Sequence, residues 1–261
     1  MAVEMAALVA DLAAESADLD RVLAALPAHG WATPTPAVGW TVADQVVHLA
    51  HFDETATTSA VDPERFRTEA AMLLAHGDDF TEVVTRAHRG RSPADLLAWL
   101  QGARAEYLRV FGALDPGTTL PWYGPPMSAA SSVTARLMET WAHGQDVVDA
   151  VGAHREPTAR LRGVAHLGVA TRGWSYRVHG EDPPTEPVRV ELAGPDGDSW
   201  TWGPADATDR VTGPALDFCL LVAQRRHRAD LALVATGPVA HHWLDLAQVF
   251  AGPPGPGREP S

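Results

Sequence analysis

Glu139 and His143 stand four residues apart in the run RLMETWAHGQDV. On a helix that spacing stacks a carboxylate and an imidazole on one face, close enough to hold a single cation together. The same spacing also builds an ordinary surface ion pair, so the two readings are separated by whether a third ligand exists. Two upstream histidines qualify, His48 and His51, both in the run VVHLAHF. His48 is flanked by Val46, Val47 and Leu49, a setting that keeps its imidazole out of bulk water. Nitrogen, oxygen and nitrogen donors drawn from two helices suit a divalent ion of zinc type and leave a coordination position open for water or substrate. His48, Glu139 and His143 are therefore the candidate metal ligands, with His51 in reserve and Asp146 as a partner that could orient His143. The competing reading is a salt-bridged helix face plus two core histidines.

Other residues carry possible roles around such a centre. Arg225, Arg226 and Arg228 form a dense basic cluster in an acidic chain. A guanidinium binds a carboxylate at two points, which makes Arg225 a candidate substrate-binding group and Arg226 a candidate catalytic one. Trp122 and Tyr123 lie in the Pro- and Gly-rich run DPGTTLPWYGPPM, where Trp122 could contact substrate and the Tyr123 hydroxyl could act as a catalytic donor. Arg136, one turn before Glu139, is a further candidate for substrate contact. Each has a bland alternative: solvated arginines balancing acidic neighbours, and aromatic packing against a helix end. Trp40 is read as an anchor for the start of the second helix. Cys219, in FCLLVA, reads as a buried and inert thiol.

The elements that must position these residues are legible from breaks and caps. Helices are expected over residues 3 to 26, from Thr41 through TVADQVVHLAHFDETATTS, from Pro63 to about Gly77, over 79 to 88, from Ser92-Pro93 to about Leu114, and from Ser128 to Gly152. The four long ones read as a bundle. Thereafter the pattern predicts one helix from Thr158 to His179, strands at VRVELA and WTWG joined by a turn at PDGDS, a helix over GPALDFCLLVAQRRH, a strand at LALVATG and a final helix from Pro238. The chain is thus expected to be mainly α: a bundle at 1–155, a small α+β domain with a leading helix at 156–252, and a flexible tail at 253–261.

Composition bounds the function. The 261 residues carry a formal net charge of -13, so the basic surface that nucleic-acid binding needs is missing. No apolar run approaches a membrane span, the N-terminus lacks the basic start of a secretory signal, and the one cysteine has no partner. These features point to a soluble protein in a reducing, cytoplasmic setting. Lysine, asparagine and isoleucine are absent altogether, as expected of a GC-rich genome.

GWTVADQVVHLAHFDE followed well downstream by ARLMETWAHGQDVVDAVG resembles the two helical signatures of the DinB-like metal-binding superfamily, in its branch of mycothiol-dependent maleylpyruvate isomerases. Matched position by position, the resemblance places the metal ligands on His48, Glu139 and His143. WYGPPMS, FCLLVAQRR and WLDLAQVFAGPPGPGR extend it over nearly the whole chain, toward a metal-binding subgroup of that branch. It implies a DinB-like bundle holding a divalent metal, most simply zinc, that activates a low-molecular-weight thiol such as mycothiol. The thiol would be transferred to, or would promote isomerisation of, a small electrophile, with an acidic one as the candidate class. Two other functions stay open: a metal-dependent hydrolase, lyase or cyclase that uses no thiol, and a non-catalytic small-molecule binding protein.

Overall fold

The computed structural model describes residues 4–77, 80–255 and 257–260 and divides into two compact units, Met1–His154 and Arg155–Ser261. The first unit is helical: α1 (Met5–Ala25), α2 (Val42–Val61), α3 (Pro63–Leu74), α4 (Phe80–His88), α5 (Pro93–Gly112) and α6 (Ala129–Val151). Four long helices, α1, α2, α5 and α6, pack together, and the shorter α3 and α4 lie against α2. Residues 3 and 79, where two expected helices begin, lie outside the described residues, as do 256 and 261 of the expected tail.

Local chemistry sets the helix ends. Asp62 and Ser92 accept hydrogen bonds from the backbone N–H of Arg65 and Asp95, each with proline at the first helical position. Ser128 caps α6 through Ser131 N–H, and Gly152 closes it in the left-handed conformation, φ 63°. Within the Pro- and Gly-rich segment before α6, read from sequence as irregular, β1 (Thr119–Leu120) and β2 (Met127–Ser128) pair as a short antiparallel ribbon.

The bundle core is layered. One apolar cluster joins Leu19, Leu23, Val42, Val46, Leu49, Leu96, Leu100 and Val147, and a second joins Met5, Leu12, Ala56, Tyr107, Phe111, Val133 and Leu137. Between them on all four helices the sequence turns polar, at Ser16, Asp53, Arg104, Arg136 and Thr140. Arg104 Nε donates to Asp53 Oδ2 at 2.6 Å, and Arg136 Nε donates to Asp53 Oδ1 at 2.9 Å. The remaining Arg104 nitrogens reach Ser16 Oγ and, at 2.9 Å, Thr140 Oγ1. A buried carboxylate is stable only when paired and hydrogen-bonded, and here two guanidinium groups do both.

The second unit is α+β, with α7 (Leu161–Ala170), α8 (Arg172–Val178), β3 (Val188–Ala193), β4 (Ser199–Trp202), β5 (Asp209–Pro214), α9 (Ala215–Val222), β6 (Val234–Thr236) and α10 (Pro238–Leu246). Its sheet runs β4-β3-β5-β6, with β3 and β5 parallel and the outer pairs antiparallel. The single helix expected over 158 to 179 is two: the Thr171 hydroxyl donates to Leu167 O at 2.9 Å and competes with the backbone ladder at the break. The helix expected to run to His227 stops at Val222, because Gln224 adopts φ 55° and Arg225 N–H turns back to Leu220 O at 2.8 Å. β5 was not expected. The Asp209 side chain at its start accepts from Ala240 N–H at 2.9 Å in the first turn of α10, and Gly237 is required beside it, since a Cβ there would stand 2.4 Å from Asp209 Oδ1.

Candidate metal centre

Thr41 sets the phase of α2. Its hydroxyl accepts from Asp44 N–H, and Asp44 Oδ2 accepts in return from Thr41 N–H at 2.9 Å. Arg89 of the α4 turn donates to the other Asp44 oxygen at 3.2 Å. From that start Gln45, His48 and Phe52 fall on one stripe at i, i+3 and i+7. On α6 the corresponding stripe carries Arg136, Glu139 and His143. Arg136 draws the two helices together by donating to Leu49 O at 3.3 Å as well as to Asp53.

The stripes meet at one carboxylate oxygen. His48 Nε2 lies 3.1 Å and His143 Nε2 3.0 Å from Glu139 Oε2, and the three ligand atoms lie within 4.8 Å of one another. The side chains are 12, 22 and 12% exposed for His48, Glu139 and His143, so the cluster is sheltered but reachable. Burial, the largest effect, would raise the Glu139 pKa; the contacts of His143 and His48 with the carboxylate together outweigh it and hold the carboxyl well below its usual range. Glu139 is thus an anion at neutral pH.

The donor set fits a divalent cation. Ligands on a tetrahedral ion with bonds of ~2.1 Å stand ~3.4 Å apart, so the two His–Glu separations need to open by only a few tenths of an ångström. His48 Nδ1 is buried and has no hydrogen-bond partner among the described residues, which leaves Nε2 as its engaged atom.

Aromatic rings wall the cluster. Trp40 packs against both imidazoles, tilted over His48 at 5.4 Å and stacked on His143 at 6.0 Å. Phe52 meets His48 at 4.6 Å and continues to Tyr123 at 5.8 Å and Trp122 at 6.5 Å. Phe66 stacks on Trp122 and Phe80 on Tyr123. Burial pushes the Tyr123 hydroxyl up to about 12, against the lowering effect of its hydrogen bond with Thr55, so near neutral pH it is a donor and not a base.

The structure places the other expected residues as follows. His51 is not part of the cluster: its Nε2 faces Thr55 Oγ1 at 3.5 Å, and its ring packs edge-on against Phe52. Arg136 does not present its guanidinium to a substrate; it is buried and held by Asp53 and Leu49 O. His143 Nδ1 contacts Gln45 Oε1, a residue not among the expected partners; Asp146, the expected one, is fully buried. Arg225 and Arg226 lie in the second unit, past the end of α9, and each donates to a nearby backbone carbonyl, of Ala223 and Arg225 respectively. Gln45, Trp40 and Phe52 were missed as site residues, although Gln45 and Phe52 share the helical stripe of His48. A cavity of about 190 Å³ between α1 and α5, lined by Asp20, Leu100, Arg104 and Thr140 among others, contains none of the three ligands.

The chain matches two family models: "Mycothiol maleylpyruvate isomerase N-terminal domain" over residues 12–148, and "Wyosine base formation" over residues 184–236. It is 51% identical over 250 residues to an uncharacterised protein present in two strains of Mycobacterium tuberculosis, covering 96% of this chain and 97% of that one. Its fold is similar to the crystal structure of a mutant mycothiol-dependent maleylpyruvate isomerase, with a TM-score of 0.59 at 13% identity over 90% of this chain and 97% of the other. A second crystal structure of that enzyme gives 0.57 at 13% identity, over 89% of this chain and 93% of the other.

Proposed function

Because the chain belongs to the family of the mycothiol maleylpyruvate isomerase N-terminal domain, we propose that it is a divalent-metal-dependent enzyme acting with a low-molecular-weight thiol of mycothiol type on a small electrophile. The outcome would be thiol transfer or thiol-promoted isomerisation. The observation that carries this reading is the convergence of His48, Glu139 and His143 from two helices on one sheltered point. A divalent ion there, zinc by the character of its ligands, supplies the Lewis acidity that lets a thiol exist as thiolate near neutral pH.

The chain's own residues do the rest. Glu139 contributes one negative charge and the two imidazoles none, leaving net positive charge to attract a thiolate. Trp40 and Phe52 pack on the imidazoles and lower the polarity around the cluster, which strengthens the charge interactions within it. The wall of Phe52, Trp122, Tyr123 and Phe80 favours an electrophile with a flat apolar body. Tyr123 keeps its proton and can donate a hydrogen bond to an oxygen that gains charge.

Metal analysis and a thiol-consumption screen test the reading. The purified protein is expected to carry about one equivalent of divalent metal, consistent with a single three-ligand centre. His48→Ala and Glu139→Ala should lose the metal and the thiol-dependent turnover while keeping the helical circular dichroism. Variants that keep metal and activity would sink the site assignment. Turnover that is indifferent to added thiol would replace the thiol chemistry with direct activation of water or substrate.

A further inference from the structure

We infer that Gln45 is a positioning residue, which holds His143 as its Nδ1–H tautomer through a hydrogen-bond relay that begins at the backbone carbonyl of Trp40. The inference rests on the metal-centre reading above.

The relay can be followed proton by proton. A threonine hydroxyl has one proton to give. The Thr35 hydroxyl donates it to Trp40 O at 2.9 Å, a carbonyl that also receives Thr35 N–H at 2.8 Å. Thr35 Oγ1 is left as an acceptor toward Gln45, whose side-chain nitrogen stands 2.9 Å away. That contact is satisfied only if the amide nitrogen of Gln45 faces Thr35. Rotating the amide by half a turn would set two oxygens against each other there, and a buried side chain cannot turn to water for relief; Gln45 is fully buried. With its nitrogen committed, Gln45 turns its Oε1 to His143 Nδ1. An amide oxygen can only accept, so Nδ1 carries the proton.

The consequence falls on the other ring nitrogen. A neutral imidazole has one N–H. With that proton on Nδ1, Nε2 points a lone pair at Glu139 Oε2, 3.0 Å away, and the carboxylate points a lone pair back. Two acceptors at hydrogen-bond distance repel unless a positive charge lies between them. A neutral His–Glu hydrogen bond would want the opposite tautomer, with the proton on Nε2. With the ring neutral, Gln45 therefore leaves the Nε2 lone pair free for a cation. His48 lacks such a partner, since its Nδ1 is buried and unbonded among the described residues. The centre is built with one imidazole locked and one not.

Nitrogen-15 NMR of the imidazole groups in metal-free protein at mildly alkaline pH reads the tautomer directly and needs neither metal nor activity. His143 should show a pyrrole-like Nδ1 and a pyridine-like Nε2. Gln45→Leu, close in volume but without an acceptor, should lose that pattern and weaken zinc binding about 10- to 100-fold, measured by competition with a chromophoric chelator. Gln45→Glu restores an acceptor and should restore most of both. Thr35→Val lies outside the helix core, leaves Gln45 in place but frees its amide to turn, and should move both readouts in the direction of Gln45→Leu. A native His143 protonated on Nε2 would overturn the inference, as would wild-type tautomer and zinc affinity in both Gln45→Leu and Thr35→Val. If the tautomer is as expected but the wild-type protein takes up no divalent metal, the metal-centre reading fails and the relay stands as a structural device.

Discussion

Changing Asp53 to asparagine removes one charge from the centre of the bundle at almost constant volume, and the structure sets the cost. Asp53 is fully buried and accepts from Arg104 at 2.6 Å and Arg136 at 2.9 Å, whose side chains are only 6 and 5% exposed. Each hydrogen bond to a charged group contributes about 1.5–3 kcal/mol. Breaking a buried pair while its partners stay charged costs about 3–5 kcal/mol. Asparagine also offers an NH2 group where the carboxylate had only acceptors, so one guanidinium meets a donor. We expect Asp53→Asn to lose about 3–5 kcal/mol, or ~10 °C in Tm for a unit of this size. Urea unfolding followed by far-ultraviolet circular dichroism would measure it.

The same reasoning makes a second demand. Replacing all three charges, as Asp53→Leu with Arg104→Met and Arg136→Met, removes the unpaired cations as well as the anion, and should return most of the lost stability. Arg136 stands one turn before Glu139 and ties α6 to Leu49 O of α2, so Asp53→Asn should also loosen the ligand cluster and weaken zinc binding. Asp53→Asn within about 1 kcal/mol of wild type would refute the account of the polar layer, because no buried ion pair of this geometry is that dispensable. A triple variant less stable than the single one would refute it too.

Three further outcomes follow from single positions. Burial, and next the charge of His48, push the His51 pKa down to about 4 from 6.5; the fold favours neutral His51, so stability should be unaffected above pH ~6.5 and decline as pH falls toward 4, by about 3 kcal/mol in full. His51→Gln should remove that part of the acid sensitivity, and an unchanged profile in urea melts at pH 7 and pH 4 would contradict it. Cys219 is fully buried and its thiol is pushed up by burial, so Ellman's reagent should label it only on unfolding; rapid labelling of native protein would be inconsistent with the second unit's core. Gly168→Ala would bring a methyl within 2.9 Å of Val222 and 3.2 Å of Phe218 in the α7–α9 contact. Overpacking of about 1–3 kcal/mol should exceed the helix-propensity gain of about 1 kcal/mol, and a rise in Tm would show that the contact relaxes freely.

How much of the centre could be read from the chain differs by residue. Glu139 and His143 were legible because helical spacing and the Ser128 and Gly152 caps are local properties, and these fix which side chains share a face. His48 was legible as an imidazole among valines and leucine, a neighbour pattern that signals shelter. Arg136 shows the limit: spacing put it on the ligand face, but its fate was decided by Asp53 on another helix, and a charge binds whichever opposite charge the packing brings nearest. Tyr123 was picked out correctly as lying in a Pro- and Gly-rich loop, yet its burial against Phe80 and Phe66 depends on how that loop returns over α2 and α3.

In the second unit, β3 and β4 form a hairpin whose alternation and turn are contiguous, whereas β5 pairs with β3 in parallel across β4 and an intervening loop. Parallel pairing leaves no turn signal, and DRVTGP carries too few apolar residues to announce itself. By itself, the sequence determined the bundle helices and their ends, the net acidity and the three residues able to hold a cation, because periodicity, capping and side-chain chemistry act over a few residues. Only the tertiary structure decided which nitrogen of His143 carries its proton, that Gln45 and Thr35 decide it, and that Asp53 rather than a substrate holds Arg136. Those are choices among hydrogen-bond partners, and a partner is known only when the fold has brought it within 3 Å.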